Sequence, residues 1–149
     1  MKHFLGVFAI LLAAAMTHAQ LNNPQSAVPA FHAAAPAAAA TLPPILTQKD
    51  LAASGLILPA QVESYKAAAK ASSVLYQMPC YCFCDRNHGH ASLRSCFEST
   101  HGANCGTCMQ EALYTYQQSK KGQSARLIRE GILRGDYKLI DLQNVTPIK

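Results

Sequence analysis

The feature that most constrains this chain of 149 residues is the placement of its cysteines, because all six fall in a single window: Cys80, Cys82, Cys84, Cys96, Cys105 and Cys108. His88, His90 and His101 lie in the same window, half of the six histidines in the chain. Thiolate and imidazole are the donors that zinc and copper(I) prefer, and several of them on a short segment lower the entropy of assembling a site. The window therefore points to a small domain shaped around a soft metal ion or around disulfides. Composition agrees with the need for such a staple. Half of the residues are apolar, but alanine supplies many of them and tryptophan is absent, so the available core is modest.

Residues 1–19 have the pattern of a secretory signal. Lys2 gives a positive start, Phe4 to Met16 is an apolar run, and Thr17-His18-Ala19 ends in a small residue before Gln20. The run is shorter than the roughly 20 residues needed to span a bilayer, so cleavage and export, to a periplasm or to the medium, are expected, with no stable membrane insertion afterwards. No cysteine follows the expected cut, which leaves a lipid-anchored form at that position without support. Residues 20–46 form an Ala/Pro-rich linker whose prolines favour an extended, solvated chain, and residues 47–149 form the Cys-rich domain. The net charge of +5 falls to +4 once Lys2 is removed. The basic residues of the last thirty positions are dispersed at helical intervals with no aromatic platform between them. They describe a solvated helix face, and nucleic acid is not expected as a partner.

The domain should be mostly α. Thr47 and Asp50 have capping-box spacing and open a short helix that stops at Ser54-Gly55. Pro59 suits the first turn of a second helix, in which Val62, Tyr65, Ala69 and Tyr76 recur at helical spacing until Met78-Pro79 ends it. The cysteine loop follows, with one turn of helix expected near Ser92 to Phe97. Asn104 is the expected N-cap of a third helix, with Met109, Ala112, Leu113 and Tyr116 inward, ending at Lys120-Lys121-Gly122. A fourth helix after Ser124 should bury Leu127, Ile128 and Ile132, and Tyr137 to Leu142 hints at a strand. The second, third and fourth helices are expected to pack together.

Nine donors exceed the four that one zinc takes, so some must pair as disulfides, stand behind the ligands, or belong to a second ion. Cys80, Cys82 and Cys84 add a geometric demand. Alternate residues of an extended chain point the same way about 6 to 7 Å apart, whereas two sulfurs on one tetrahedral ion lie about 3.8 Å apart. Either the segment curls or its thiols serve different ions. Cys105-x-x-Cys108 opens a helix, which should lower the pKa of both thiols and suits a metal ligand and a redox nucleophile equally. Three readings stay open. In the first the chain holds zinc or copper(I). In the second it is a thiol-disulfide redox protein in which Cys105 attacks and Cys108 resolves, the one enzyme-like possibility. In the third it is a disulfide-stapled structural or interaction domain, which leaves the histidines unexplained. Of the histidines, His88 reads as solvated, whereas His90 and His101 read as ligands.

From Met78-Pro79-Cys80-Tyr81-Cys82-Phe83-Cys84-Asp85 onward the sequence resembles the PCYCGC, or CYCXC, family of exported bacterial proteins. The later Gly89-His90, Leu93, Cys96-Phe97, His101, Cys105-x-x-Cys108 and Gly122-x-Ser124 are similar to the same pattern. The resemblance covers roughly residues 59–142 and implies a real domain with suggested heavy-metal binding, in a family whose activity is uncharacterised. The family motif has glycine where this chain has Phe83, and phenylalanine adopts positive φ poorly, which argues against one ion using all three motif cysteines. The ligand set expected first is Cys82, Cys84, Cys105 and Cys108, with Cys80, Cys96, His90 and His101 as alternates or a second site. The partners this implies are the metal ion itself and another exported thiol- or metal-handling protein.

Overall fold

The computed structural model describes residues 28–38 and 40–149; the signal segment and the first part of the linker, residues 20–27, lie outside the described residues. The described chain is mostly helical, with no strand among its elements. Its helices are α1 (Gln48–Ala53), α2 (Pro59–Lys70), α3 (Ser72–Leu75), α4 (Cys84–His88), α5 (Gly106–Lys120) and α6 (Ala125–Arg134). Three 3-10 turns, Leu93–Phe97, Gly102–Asn104 and Asp136–Leu139, complete it. No helix among the described residues is long and apolar enough to cross a membrane.

Local punctuation follows the sequence closely. Thr47 and Asp50 cap α1 reciprocally, the Thr47 amide donating to the Asp50 carboxylate at 2.7 Å. Gly55, at φ 73°, ends that segment. Pro59 occupies the first turn of α2, Ser124 caps α6 through its hydroxyl, and Gly122 takes the left-handed conformation after α5.

Four expectations need correction. The second helix breaks at Ala71 (φ −110°, ψ 23°) and resumes as the single turn α3. Ser72 and Ser73, poor interior helix residues, stand at the break, and the Ser72 hydroxyl accepts from Arg94 Nε at 2.9 Å. Cys105, not Asn104, caps α5, because Asn104 closes the preceding 3-10 turn and its side-chain Nδ2 donates to the Thr100 carbonyl. Leu127 is 44% exposed, since α6 meets the core through the narrower stripe of Ile128, Gly131 and Ile132. The strand hint at 137–142 resolves into a 3-10 turn, which Gly135 starts at φ 85° and which folds Tyr137 into the core.

Helix α5 is the hub. It packs on α2, on α6 and on the Asp136–Leu139 turn, and its buried face runs through Cys108, Glu111, Ala112 and Thr115. Tyr65 on α2 is 2% exposed, and its hydroxyl donates to the Ser99 carbonyl and accepts from the Ala103 amide at 3.2 Å. It therefore ties α2 to the loop that leads into α5. The Leu93–Phe97 turn is fixed by the buried Arg94, whose guanidinium reaches Ser72, Glu98 and the Pro43 carbonyl. The last of these partners belongs to residues 28–38 and 40–46, which carry no helix or strand yet lie along the domain. His32 stacks on Tyr76 with ring centres 3.7 Å apart, Phe31 lies under the Arg129 guanidinium, and the Ala30 amide donates to Asp85 at 3.0 Å.

Gly131 marks the tightest helix contact: a Cβ there would lie 2.0 Å from the Tyr114 hydroxyl. Gly131→Ala should lower stability by about 1–3 kcal/mol, because overpacking outweighs the roughly 1 kcal/mol that alanine gains inside a helix. Tyr114→Phe in the same background should recover part of that loss in denaturant titrations.

Candidate metal centre

The site begins with a backbone turn. Phe83 has φ 58° and ψ 33°, the only non-glycine residue with positive φ among those described. The Phe83 amide donates to the Cys80 carbonyl at 3.0 Å, and the Arg86 amide to the Phe83 carbonyl at 3.1 Å, so the motif closes into two successive tight turns. A left-handed residue other than glycine costs about 1–2 kcal/mol. Contacts of the ring offset this in part: the Arg86 guanidinium sits 4.1 Å above it, and Tyr81 meets it edge-on at 5.9 Å. The resistance to a tight curl expected of phenylalanine is thus overcome locally.

The curl divides the motif. Cys80 and Cys82 turn toward the start of α5, where Cys108 lies in its first turn. The Sγ atom of Cys80 lies 3.3 Å from that of Cys82 and 3.3 Å from that of Cys108, and the Sγ atoms of Cys82 and Cys108 are 3.6 Å apart. Cys84, starting α4 just beyond the left-handed residue, turns to Cys96 at 3.3 Å. His90 Nδ1 is 3.3 Å from Cys96 Sγ, and His101 completes this second group. Two groups able to hold a metal ion therefore adjoin: Cys80, Cys82 and Cys108, and Cys84, His90, Cys96 and His101. His101 Nε2 also stands 3.9 Å from Cys82 Sγ, at the seam between them. Of the quartet Cys82, Cys84, Cys105 and Cys108, Cys82 and Cys108 meet in the first group and Cys84 stands in the second. Cys105 belongs to neither group; its sulfur accepts from the Cys108 amide at 3.4 Å. All six cysteines are free thiols.

Cys80, Cys84, Cys96 and Cys108 are at most 3% exposed, and Cys82 and Cys105 are half-buried. Such close thiols share protons unequally. Cys82 is held well below the usual thiol range by hydrogen bonds from Cys105, Cys108 and Cys80, and Cys96 is brought down to about 4 chiefly by Cys108 and Cys80. Their neighbours keep the protons. Cys80 is pushed up by its contacts with Cys108 and Cys82, Cys84 by those with Cys80 and Cys82, and Cys108 by those with Cys105 and Cys82 and by burial. The helix start was expected to lower Cys105 and Cys108, but these contacts override its dipole at Cys108. At Cys105 the Cys108 hydrogen bond lowers the pKa, while contact with Cys82 and burial raise it further. Each group thus contains one cysteine whose thiol is lowered, Cys82 or Cys96, beside neighbours whose thiols are raised.

The sequence reading missed Glu111. It is fully buried one turn beyond Cys108, and its Oε1 accepts from the Tyr81 amide at 2.9 Å, holding the motif against α5. Burial pushes its carboxyl well above the ordinary range, and its Oε2 has no hydrogen-bond partner. The available signal was its spacing: a glutamate three residues after Cys108 and four before Thr115 falls on the inward stripe.

If backbone conformation at Phe83 makes the curl, Phe83→Gly should leave stability within about 1 kcal/mol, relief of strain offsetting lost ring contacts. Phe83→Val, β-branched and without those contacts, should cost about 1–2 kcal/mol more than the glycine variant. Chemical denaturation of the three proteins reads the order directly.

No curated protein and no solved structure matches the chain. A family model does, over residues 34–139, from inside the extended N-terminal segment to the last 3-10 turn. With the motif written here as Pro79-Cys80-Tyr81-Cys82-Phe83-Cys84, the chain belongs to the family of proteins of unknown function with the PCYCGC motif.

Proposed function

We propose that this protein binds soft metal ions, copper(I) or zinc, at two adjoining centres, and that it stores or delivers them outside the cytoplasm. The observation that carries the reading is the convergence of Cys80, Cys82 and Cys108 at 3.3–3.6 Å beside a second group of two thiols and two imidazoles. Tetrahedral coordination at about 2.3 Å places sulfurs about 3.8 Å apart, so the three-sulfur group needs only slight expansion to take an ion. The three-sulfur group suits copper(I) or zinc, and the mixed group has the Cys2His2 donors of structural zinc sites. The first nineteen residues support export. In an oxidising compartment a bound ion would keep these thiols from closing into disulfides.

Metal content by mass spectrometry, with thiol counting on protein from its native compartment, tests the proposal. The expected result is about two ions per chain, with the thiols of Cys80, Cys82, Cys84, Cys96 and Cys108 reacting only after chelation and Cys105, outside both groups, reacting without it. Three disulfides, no metal, and no uptake after reduction would sink it. A metal-free protein with one readily reducible pair would favour the redox alternative at Cys105 and Cys108.

Proton release gives a second check. Because Cys82 and Cys96 are lowered and Cys80, Cys84 and Cys108 raised, zinc should displace about two protons at the first centre, from Cys80 and Cys108, and about one at the second, from Cys84. Metal competes with protons for these sulfurs, so affinity rises with pH. Both centres should empty as the solution is acidified, which competition titrations with a chromophoric chelator across pH would show.

A further inference from the structure

His88 reads from the sequence as a solvated loop residue, and it belongs to neither group of ligands. Its position in the fold is less ordinary. It is the last residue of α4, whose first residue is Cys84, and Gly89 follows at φ 65° and ψ 23°. That left-handed step reverses the chain, and no atom lies within 4 Å of where a Cβ on Gly89 would stand, so the glycine serves the conformation rather than a close approach. The reversal returns His90 beside His88, and the segment before the Gly102–Asn104 turn delivers His101 to the same place. The three rings form a triangle with centres 5.7 Å (His88 to His90), 4.7 Å (His88 to His101) and 4.9 Å (His90 to His101) apart.

Those separations have a chemical meaning. Nitrogen ligands sit about 2.0–2.1 Å from zinc, and an imidazole ring centre lies about 1 Å further out, so rings on one tetrahedral ion have centres about 5 Å apart. The triangle also lies on a gradient of exposure. His88 is exposed, His90 and His101 are half-buried, and Cys84, Cys96, Cys80 and Cys108 are buried. His90 touches Cys96, and His101 stands at the seam beside Cys82, so each of the two inner rings adjoins a sulfur.

We infer that His88, His90 and His101 form a metal-acquiring site at the mouth of the cluster, where an arriving divalent ion such as zinc is first held by imidazole before passing inward to the thiolates. The inference rests on the proposed function and adds the route by which the centres fill. The transfer is ligand exchange without change of oxidation state. The metal–nitrogen bond to His88 breaks as metal–sulfur bonds form, and displaced thiol protons leave to solvent. Imidazole, borderline in softness and neutral when it binds, suits capture and release, whereas thiolate suits retention.

The test mixes the full chain, reduced and metal-free, with cobalt(II) under anaerobic stopped flow. Cobalt(II) reports its ligands: visible d–d bands appear with any tetrahedral set, whereas near-ultraviolet charge-transfer bands require bound thiolate. In the unaltered chain visible absorbance should rise ahead of charge transfer. His88→Ala should abolish that lead and slow the charge-transfer phase about tenfold, because the rate follows occupancy of the first complex and loss of one supporting group weakens metal sites by about 10–100-fold. The final number of ions bound should be unchanged. Simultaneous rise of both signals in the unaltered chain, loading of His88→Ala at the unaltered rate, or loss of a whole ion at its endpoint would each overturn the acquiring role. An unaltered chain that binds no cobalt at all would overturn the proposed function with it.

Discussion

The left-handed turn at Phe83 is the constraint on which the rest of the site depends. A motif of three alternating cysteines would present its sulfurs along one side of an extended chain, too far apart for one ion. The tight turn from Cys80 to Phe83 lets Cys80 and Cys82 converge, and the left-handed step at Phe83 sends Cys84 away from them into α4. Two successive turns that meet at Phe83 thus convert a linear array of donors into two centres. The cost at Phe83 is local, and the aromatic ring meets Arg86 and Tyr81, contacts that glycine would not make.

The scaffold around that turn works by anchoring loops to helices through buried polar groups. Tyr65 holds the Ser99–Ala103 segment, Arg94 holds the turn that carries Cys96, and Glu111 holds the motif backbone at Tyr81. Each is on or beside a regular element, and each reaches irregular chain that has few apolar residues to bury. A small core leaves little hydrophobic stabilisation for such loops, so specific hydrogen bonds define their path.

What the sequence made legible was local. The caps at Thr47 and Ser124, the proline start of α2 and the glycine after α5 are each specified within a few residues of themselves, and the mostly helical architecture followed from them. The density of donors between Cys80 and Cys108 was visible for the same reason. Their division into groups was not, because it depends on Phe83 adopting a conformation its side chain disfavours and on Cys108 arriving from a helix 28 positions away from Cys80. Leu127 was misread because helical periodicity shows a stripe but not how wide a neighbour covers it, and the break at Ala71 because Ser72 and Ser73 weaken a helix without by themselves ending one. Glu111 escaped notice since a charged residue on an inward stripe reads as an error in register until its partner, a backbone amide far along the chain, is seen.

The hydrogen bond from Arg94 to the Pro43 carbonyl joins residues 51 positions apart. Contacts of such separation close large loops and form late, after local helices have gathered. Until residues 40–46 dock, the guanidinium beside the Cys96 turn lacks one of its buried acceptors, an unfavourable state for a group 5% exposed. During synthesis the N-terminal segment emerges first and then waits, unpartnered, for the cysteine turn that will hold it. The N-terminal segment is thereby a clasp on the Cys96 turn, whose arginine anchor gains its full set of buried acceptors only when residues 40–46 dock.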